Sequence, residues 1–167
     1  MNILILNGAP RPNGNTKKLV DAFIEGAEKA GNRTKLFNVA HMNIAGCLGC
    51  GKCKQTGECA QKDDMQKIYP EIENADMIVL ASPIYFHSVT GQLQCAITRF
   101  YAKYPERVSK AAMILSSGSS NMYDPVEIQY ERIMRYFKAE NMGIKAFAGE
   151  VGEEALAGMK AFGESLK

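Results

Sequence analysis

The amino-acid sequence predicts an α/β protein with one parallel β-sheet that is covered by helices on both faces. Five short apolar runs of strand length alternate with segments whose apolar residues recur at helical spacing. The first run, Asn2 to Asn7, is almost entirely Ile and Leu, which is typical of a strand buried on both faces. The chain of 167 residues is long enough for its own core, so we expect 1–167 to form one domain with a cysteine-rich loop at 46–60.

The predicted strands and helices alternate along the chain, with the cysteine segment inserted after the second strand. The strands are expected at residues 2–7, 33–39, 76–81, 110–116 and 143–148. Helical spacing occurs within 19–30, 65–72, 93–101, 126–137 and 155–166. Pro70 lies inside the second helical segment, so we expect that helix to be kinked or split. Sheets of this class bind ligands where the strands end, so the loops after the strands are the candidate sites.

The composition is that of a globular protein and argues against several other classes. Hydrophobic residues make up 46% and charged residues 23% of the chain, and the formal net charge is +2. So small a charge gives no reason to expect a nucleic-acid or membrane-surface partner. No apolar run reaches the roughly 20 residues that cross a bilayer. Because Met1 to Leu6 lacks the features of a signal peptide, we expect a cytoplasmic protein with reduced thiols.

The loop after the first strand, residues 7–16 (NGAPRPNGNT), is suited to binding a phosphate. The helix that follows begins with backbone N–H groups and the positive end of its dipole. Either Asn15 or Thr16 can cap that helix with its side chain. Arg11 adds a planar, permanently charged guanidinium. Neither a dinucleotide fingerprint nor a Walker A motif is present, and a plain connector with a surface arginine is the alternative interpretation.

This loop resembles the G-S-P-R-x-x-G-N-T segment of the NAD(P)H-dependent, FMN-binding flavoprotein family, in which it holds the FMN phosphate. The family has a flavodoxin-like fold, so the resemblance implies a doubly wound five-stranded parallel sheet of order 2-1-3-4-5. Serine is usual in the family at the position of Ala9. The residues that the resemblance implies for binding the phosphate are Ala9, Pro10, Arg11, Gly14, Asn15 and Thr16.

The loop after the third strand, residues 82–88 (SPIYFHS), resembles the S-P-V-Y-F/W stretch of the same family, which lies along the flavin ring. A turn stiffened by proline can present backbone N–H groups to the ring, and aromatic side chains can offer planar contact. The implied residues are Pro83, Ile84, Tyr85, Phe86 and His87. The alternative is that the two aromatic residues belong to the core and that the histidine is a polar surface residue.

The loop after the fourth strand, residues 116–120 (SSGSS), is the third candidate. Its small hydrogen-bonding residues, Ser117 and Gly118 among them, could line the pyrimidine side of the flavin. A flexible serine-rich loop would have the same sequence character. All three loops follow strands of one parallel sheet, so we expect them to converge at one edge.

Four of the five cysteines lie within 13 residues at the spacing C-x2-C-x2-C-x5-C: Cys47, Cys50, Cys53 and Cys59. Three cysteines two residues apart can wrap one [4Fe–4S] cube, and the fourth can close it. The spacing resembles the compact cluster motif of the iron–sulfur flavoproteins, a branch of the same family. A four-iron cluster, a structural zinc and a metal-free glycine-rich loop all stay open. We interpret Cys95 as a small buried hydrophobic residue.

Two further segments resemble the family pattern. Asp63-Asp64-Met65 fits G-x-C-x3-D-D-M, and Leu93 to Arg99 fits L-K-x-x-x-D-R at its last position but departs at Gln94 and Thr98. The latter helix often serves subunit contacts in the family, so the resemblance implies a homodimer or homotetramer.

The family resemblance implies an enzyme, an FMN-dependent NAD(P)H oxidoreductase. Its acceptor would be a small molecule or a protein, and NAD(P)H would be the co-substrate. Because the flavin carries the redox chemistry, no side chain is predicted as a catalytic acid or base. A non-enzymatic electron carrier or redox sensor is the alternative.

Overall fold

The computed structural model describes residues 1–166 and contains a five-stranded parallel sheet. The strands are β1 (Asn2–Asn7), β2 (Arg33–Asn38), β3 (Met77–Pro83), β4 (Lys110–Ser117) and β5 (Glu140–Ala148). Their order is β2-β1-β3-β4-β5, and all neighbours pair in parallel. The predicted flavodoxin-like fold and its strand order are therefore confirmed.

Helices cover both faces of the sheet. They are α1 (Asn15–Lys29), α2 (Lys52–Thr56), α3 (Tyr69–Asn74), α4 (Gly91–Thr98), α5 (Asp124–Phe137) and α6 (Glu153–Glu164), with single turns of 3-10 helix at Val39–His41, Asp64–Lys67 and Arg99–Ala102. The helix predicted around Pro70 is split, as expected, because the 3-10 turn ends before α3 and Pro70 lies in the first turn of α3. Within the described residues, no helix combines the length and the hydropathy needed to cross a bilayer.

Two hydrophobic clusters lie on opposite faces of the sheet. Alternate residues of β1 enter different clusters, with Leu4 and Leu6 on one side and Ile3 and Ile5 on the other. The first cluster packs under α3, α4 and α5, and the second packs under α1 and α6. This alternation explains why the β1 sequence is apolar throughout, since neither face of the strand reaches solvent.

Helices α1 and α6 touch backbone to backbone. A Cβ atom added at Gly26 would lie 2.0 Å from the carbonyl oxygen of Lys160, and one added at Gly163 would lie 2.4 Å from the carbonyl oxygen of Phe23. The rings of Phe23 and Phe162 pack beside this contact, with their centroids 5.5 Å apart. Only glycine at both positions allows the two helices to approach so closely.

We expect Gly163→Ala to lower the free energy of unfolding by about 1–3 kcal/mol, because the added methyl group forces the two helices apart. Gly158→Ala is the matched control, since Gly158 lies in the same helix with open space around it. There alanine should raise the free energy of unfolding by up to about 1 kcal/mol through its better helix propensity. Urea denaturation measures both values, and effects of the same sign would contradict the close contact.

Candidate functional site

The three predicted loops meet at the carboxyl edge of the sheet. The N–H of Gly8, in the loop after β1, donates to the carbonyl of Ala81 in β3 at 2.8 Å. The N–H of Ile84, in the loop after β3, donates to the carbonyl of Ser116 in β4 at 2.7 Å. These bonds continue the hydrogen-bonding pattern of the parallel strands beyond the ends of the strands. The loops therefore form one continuous surface.

Thr90 joins the first loop to the start of α4. Its buried hydroxyl donates to the carbonyl of Gly8 at 2.9 Å and accepts the N–H of Leu93 at 3.4 Å. Its N–H donates to the hydroxyl of Ser82 at 2.9 Å. One side chain thus caps α4 and fixes the loops after β1 and β3 relative to each other.

The predicted side-chain capping of α1 by Asn15 or Thr16 is wrong. Helix α1 begins after Gly14 without a side-chain cap, and both side chains bond to distant parts of the chain. The amide of Asn15 donates to the carbonyl of Gly149 at 2.8 Å, and the buried hydroxyls of Thr16 and Ser116 share a hydrogen bond of 2.7 Å. The N–H groups of the first turn, which a helix cannot satisfy internally, are left to solvent or a ligand.

The first loop becomes more exposed from Ala9 to Arg11. Ala9 is buried, and its N–H donates to the side chain of Asn7 at 3.0 Å. Pro10 is half-buried and Arg11 is exposed. An open cavity of about 350 Å³ is lined by residues 11–15. Of the predicted phosphate residues, Arg11, Gly14 and Asn15 line this cavity beside the start of α1, whereas Ala9, Pro10 and Thr16 do not.

Residues 85–88 form a tight hairpin with two unusual backbone conformations. Tyr85 and Ser88 exchange two backbone hydrogen bonds of 2.9 and 3.1 Å. Between them, Phe86 and His87 have φ angles of 49° and 60°. Positive φ at both central positions is the pattern of a type I′ turn, which favours Asn-Gly. Non-glycine residues held in this region cost about 1–3 kcal/mol each and cluster at functional sites.

The side chains of this hairpin point to solvent. Phe86 is 97% exposed and Tyr85 is 45% exposed, so the alternative that they are core aromatics is wrong. His87 is exposed as well. The preceding residues Pro83 and Ile84 are buried and anchor the turn to the end of β3. The hairpin therefore presents two aromatic rings at the edge where the other loops meet.

The loop after β4 is held by internal hydrogen bonds at its first residues. The hydroxyl of Ser117 lies 2.6 Å from the carbonyl of Ser119 and 2.5 Å from the hydroxyl of Tyr123. The carbonyl of Ser117 accepts the N–H of Gly149 at 2.9 Å. Gly118 is exposed. The Ser117 hydroxyl is thus engaged inside the protein, and Gly118 can offer a ligand only its backbone groups.

The four clustered cysteines line one cavity of about 210 Å³. The cavity lies between the cysteine loop and the segment after α4, which contributes Arg99, Tyr101 and Ala102. All five cysteines are free thiols; Cys47 and Cys50 are exposed, and Cys53, Cys59 and Cys95 are half-buried. Cys95 is therefore less deeply buried than predicted.

The four clustered cysteines share a cavity rather than one coordination point. Among residues 1–166, no three His, Cys, Asp or Glu side chains are close enough together to hold one metal ion. The four thiols are instead spread around a shared cavity. Four thiolates around one cavity are the donor set of a [4Fe–4S] cluster, so the residues present fit that group.

A buried ion pair closes the base of the cysteine loop. Arg99 is 1% exposed and forms a bidentate ion pair with Asp63, with Nη to Oδ distances of 2.7 and 3.1 Å. Its Nη atoms also donate to the carbonyls of Ala45 at 2.8 Å and Gln61 at 3.4 Å. Arg99 therefore binds the chain on both sides of the four cysteines.

The carboxylate of Asp63 binds the same two chain segments. It accepts the N–H of Ala45 at 3.0 Å and the N–H of Met65 at 3.1 Å. Partial burial works against its charged form, yet the hydrogen bonds from Arg99 and these N–H groups hold the pKa of Asp63 below its ordinary value. Next to it, Asn43 and Asp64 exchange two hydrogen bonds of 2.9 and 3.0 Å. The cysteine loop thus leaves and rejoins the fold at one place, where residues 43–45 bond to residues 63 and 64. We call this place the narrow neck of the loop.

Cys59 differs from the exposed cysteines in its surroundings. Burial alone would raise the pKa of the Cys59 thiol, but hydrogen bonds from the backbone of Gln61 and the hydroxyl of Tyr69, with the charge of Arg99, hold that pKa below its ordinary value. The sequence pattern matched Arg99 to a family position, but it contained no signal that Arg99 would line the same cavity as the cysteines.

The fold and the converging loops define a flavodoxin-like protein. Comparison with known proteins places it more narrowly, because residues 1–153 match the family model described as NADPH-dependent FMN reductase. The chain belongs to that family, and the resemblance predicted from the loop motifs is confirmed.

Similar proteins include several named iron-sulfur flavoproteins. One from Archaeoglobus fulgidus is 30% identical over 169 residues, which cover 95% of this chain and 76% of that protein. One from Methanocaldococcus jannaschii is 35% identical over 99 residues, which cover 59% of this chain and 51% of that protein. The chain thus spans between about half and three quarters of the length of these relatives.

A solved structure shows the same fold at low sequence identity. The NAD(P)H:quinone oxidoreductase from Methanothermobacter marburgensis superimposes with a TM-score of 0.76 at 18% identity, covering 100% of this chain and 99% of that chain.

We expect replacement of Phe86-His87 by Asn-Gly to raise the free energy of unfolding by about 1–3 kcal/mol, because glycine in place of His87 removes the strain there and asparagine in place of Phe86 tolerates a positive φ better. Phe86→Ala is the control, because it removes the exposed ring but keeps a Cβ atom on a backbone with positive φ. It should change the free energy of unfolding by less than about 0.5 kcal/mol. Equal values for the two variants in urea denaturation would contradict a strained turn.

Proposed function

We propose that the protein is an FMN-dependent NAD(P)H oxidoreductase that passes electrons through an iron–sulfur cluster in the cysteine loop. The observation that carries the proposal is the gathering of four cysteines around one cavity in a chain of the NADPH-dependent FMN reductase family. Relatives that align with this chain bear the name iron-sulfur flavoprotein, which supports the cluster. The electron acceptor is a small molecule or a protein, and the active form is a homodimer or homotetramer.

The carboxyl-edge loops would hold FMN. Arg11 and the first-turn N–H groups of α1 would bind its phosphate, since both supply positive charge to the hollow at 11–15. The strained hairpin would place Tyr85 and Phe86 beside the ring. The backbone at Ser117 and Gly118 would bind its polar edge. FMN, when bound, would supply the hydride and one-electron chemistry, so the chain's own residues would bind, orient and shield it rather than move protons.

The cysteine cavity would hold the cluster, with Cys47, Cys50, Cys53 and Cys59 as ligands. Helix α4 connects the two sites, because it begins next to the Ser82–Thr90 contact and ends at the cavity. Its 8 residues span about 12 Å. Cys47 and Cys50 are exposed, so they form the side of the cavity that an electron-transfer partner would reach.

We expect Arg11→Ala to weaken FMN binding roughly ten- to a hundredfold, because a charge-assisted phosphate contact contributes about 1.5–3 kcal/mol. Arg33→Ala is the matched control, since Arg33 is an exposed arginine at the opposite edge of the sheet, where β2 begins. Fluorescence titration with FMN gives both dissociation constants. Riboflavin, which lacks the phosphate, should bind equally to wild type and Arg11→Ala. An unchanged FMN affinity in folded Arg11→Ala would remove Arg11 from the site.

We expect anaerobic reconstitution to yield about four irons per chain and visible absorption beyond that of FMN. Cys59→Ser should lose iron and retain FMN, because the cavity and the phosphate hollow are lined by different residues. Cys95→Ser is the control and should retain both. Wild-type protein that holds neither iron nor sulfide would rule out the cluster.

Oxidation of NADH and NADPH by the FMN-loaded protein separates the enzyme from an electron carrier. Steady-state turnover with a small-molecule acceptor supports the enzyme. FMN that is reduced only by a protein partner would favour the carrier, even if the cluster is present.

A further inference from the structure

The loop after β5 is bonded to two parts of the candidate flavin site, although no sequence motif indicated this loop. We propose that Asn15 and Gly149 are positioning residues, which set the spacing between the two ends of that site. One end is the hollow at 11–15, where the FMN phosphate would bind, and the other end is the loop after β4. The inference rests on the FMN site proposed above and adds a fourth loop to it.

The first step is a bridge that uses both backbone groups of Gly149. Its carbonyl accepts the side-chain amide of Asn15 at 2.8 Å, and its N–H donates to the carbonyl of Ser117 at 2.9 Å. Asn15 is the first residue of α1, and Ser117 is the last residue of β4. A single residue therefore connects the helix start beside the phosphate hollow with the loop that would bind the polar edge of the ring.

The second step is the rigidity of this bridge. Gly149 has a φ angle of 77°, which glycine adopts without the strain that a side chain would cause. Before it, Ala148 pairs with Ser117 in the sheet, and after it, the buried side chain of Val151 packs in the hydrophobic cluster under α1 and α6. Because the chain is anchored on both sides of Gly149, the Gly149 carbonyl is a fixed point to which Asn15 ties the start of α1.

The third step is the consequence for a ligand with two ends. FMN has its phosphate and its ring at opposite ends of a flexible chain, so both ends bind together only if the two parts of the site are correctly spaced. A site that is held at this spacing needs no further ordering when the second end binds. The Asn15 amide is engaged with Gly149, so it contributes this spacing rather than a contact with the phosphate. The buried hydroxyls of Thr16 and Ser116 form a second tie, between the next residue of α1 and β4.

The test measures the affinities of Asn15→Ala and Gly149→Ala for FMN and for riboflavin, by fluorescence titration of the flavin-free protein. We expect each substitution to weaken FMN binding by about three- to tenfold, the range of one hydrogen bond, and to leave riboflavin binding unchanged. Riboflavin would occupy only the ring end of the site, so its binding does not depend on the spacing. The double variant should lose no more FMN affinity than either single variant, because both substitutions break the same bridge.

Gly143→Ala is the matched control, since Gly143 in β5 also has a positive φ, of 93°, and open space around it. It should keep the wild-type affinities for both flavins, and circular dichroism checks that each variant is folded.

Three results would overturn this inference alone. The first is an unchanged FMN affinity in folded Asn15→Ala. The second is a loss in Asn15→Ala with none in Gly149→Ala, because Asn15 would then bind the phosphate itself. The third is an equal loss of FMN and riboflavin affinity in the variants, because the bridge would then support the ring end as a whole. Wild type that binds FMN no more tightly than riboflavin would overturn the phosphate site and this inference together.

Discussion

Hydrogen bonds between neighbouring loops at the carboxyl edge are the constraint on which the candidate flavin site depends. Thr90 bonds to Gly8, and Thr16 bonds to Ser116, so side chains from α1, α4 and the end of β4 meet in buried pairs. Each loop is positioned by its neighbour rather than by its own conformational preference. The parallel pairing of β1, β3 and β4 brings the partners within reach, which is why the site exists only in the complete sheet.

The two helical layers support different parts of the candidate site. On one face, α1 and α6 are locked by backbone contact at Gly26 and Gly163. On the other face, the helices leave room for a polar interior, in which Arg99 is fully buried. A buried charge of this kind is stable only when it is fully paired, and Asp63 with nearby carbonyls meets that condition. The first layer supports α1 and its phosphate loop, and the second supports the cysteine loop.

Apolar periodicity was enough to predict the sheet, because β1 and β3 are buried on both faces. It missed the first residues of β5, since Glu140 and Asn141 lie exposed at the sheet edge and carry no apolar signal. The positive φ angles of the hairpin after β3 could not be predicted either, because Phe-His is not a sequence associated with a type I′ turn. The cap of α1 was wrong for a different reason: Asn15 bonds to a residue 134 positions away, which local rules do not reach. The ion pair of Arg99 with Asp63 is long-range in the same sense.

The narrow neck of the cysteine loop makes residues 46–62 a separable module. Asn43 and Ala45 on one side meet Asp63 and Asp64 on the other, so the chain enters and leaves at a single point and the five strands pair without it. Evolution could therefore lengthen or shorten this loop, or replace its cysteines, while the flavodoxin-like sheet stayed the same. The same geometry offers protein engineers a place to graft a different metal-binding loop, provided that the residues at the neck are kept.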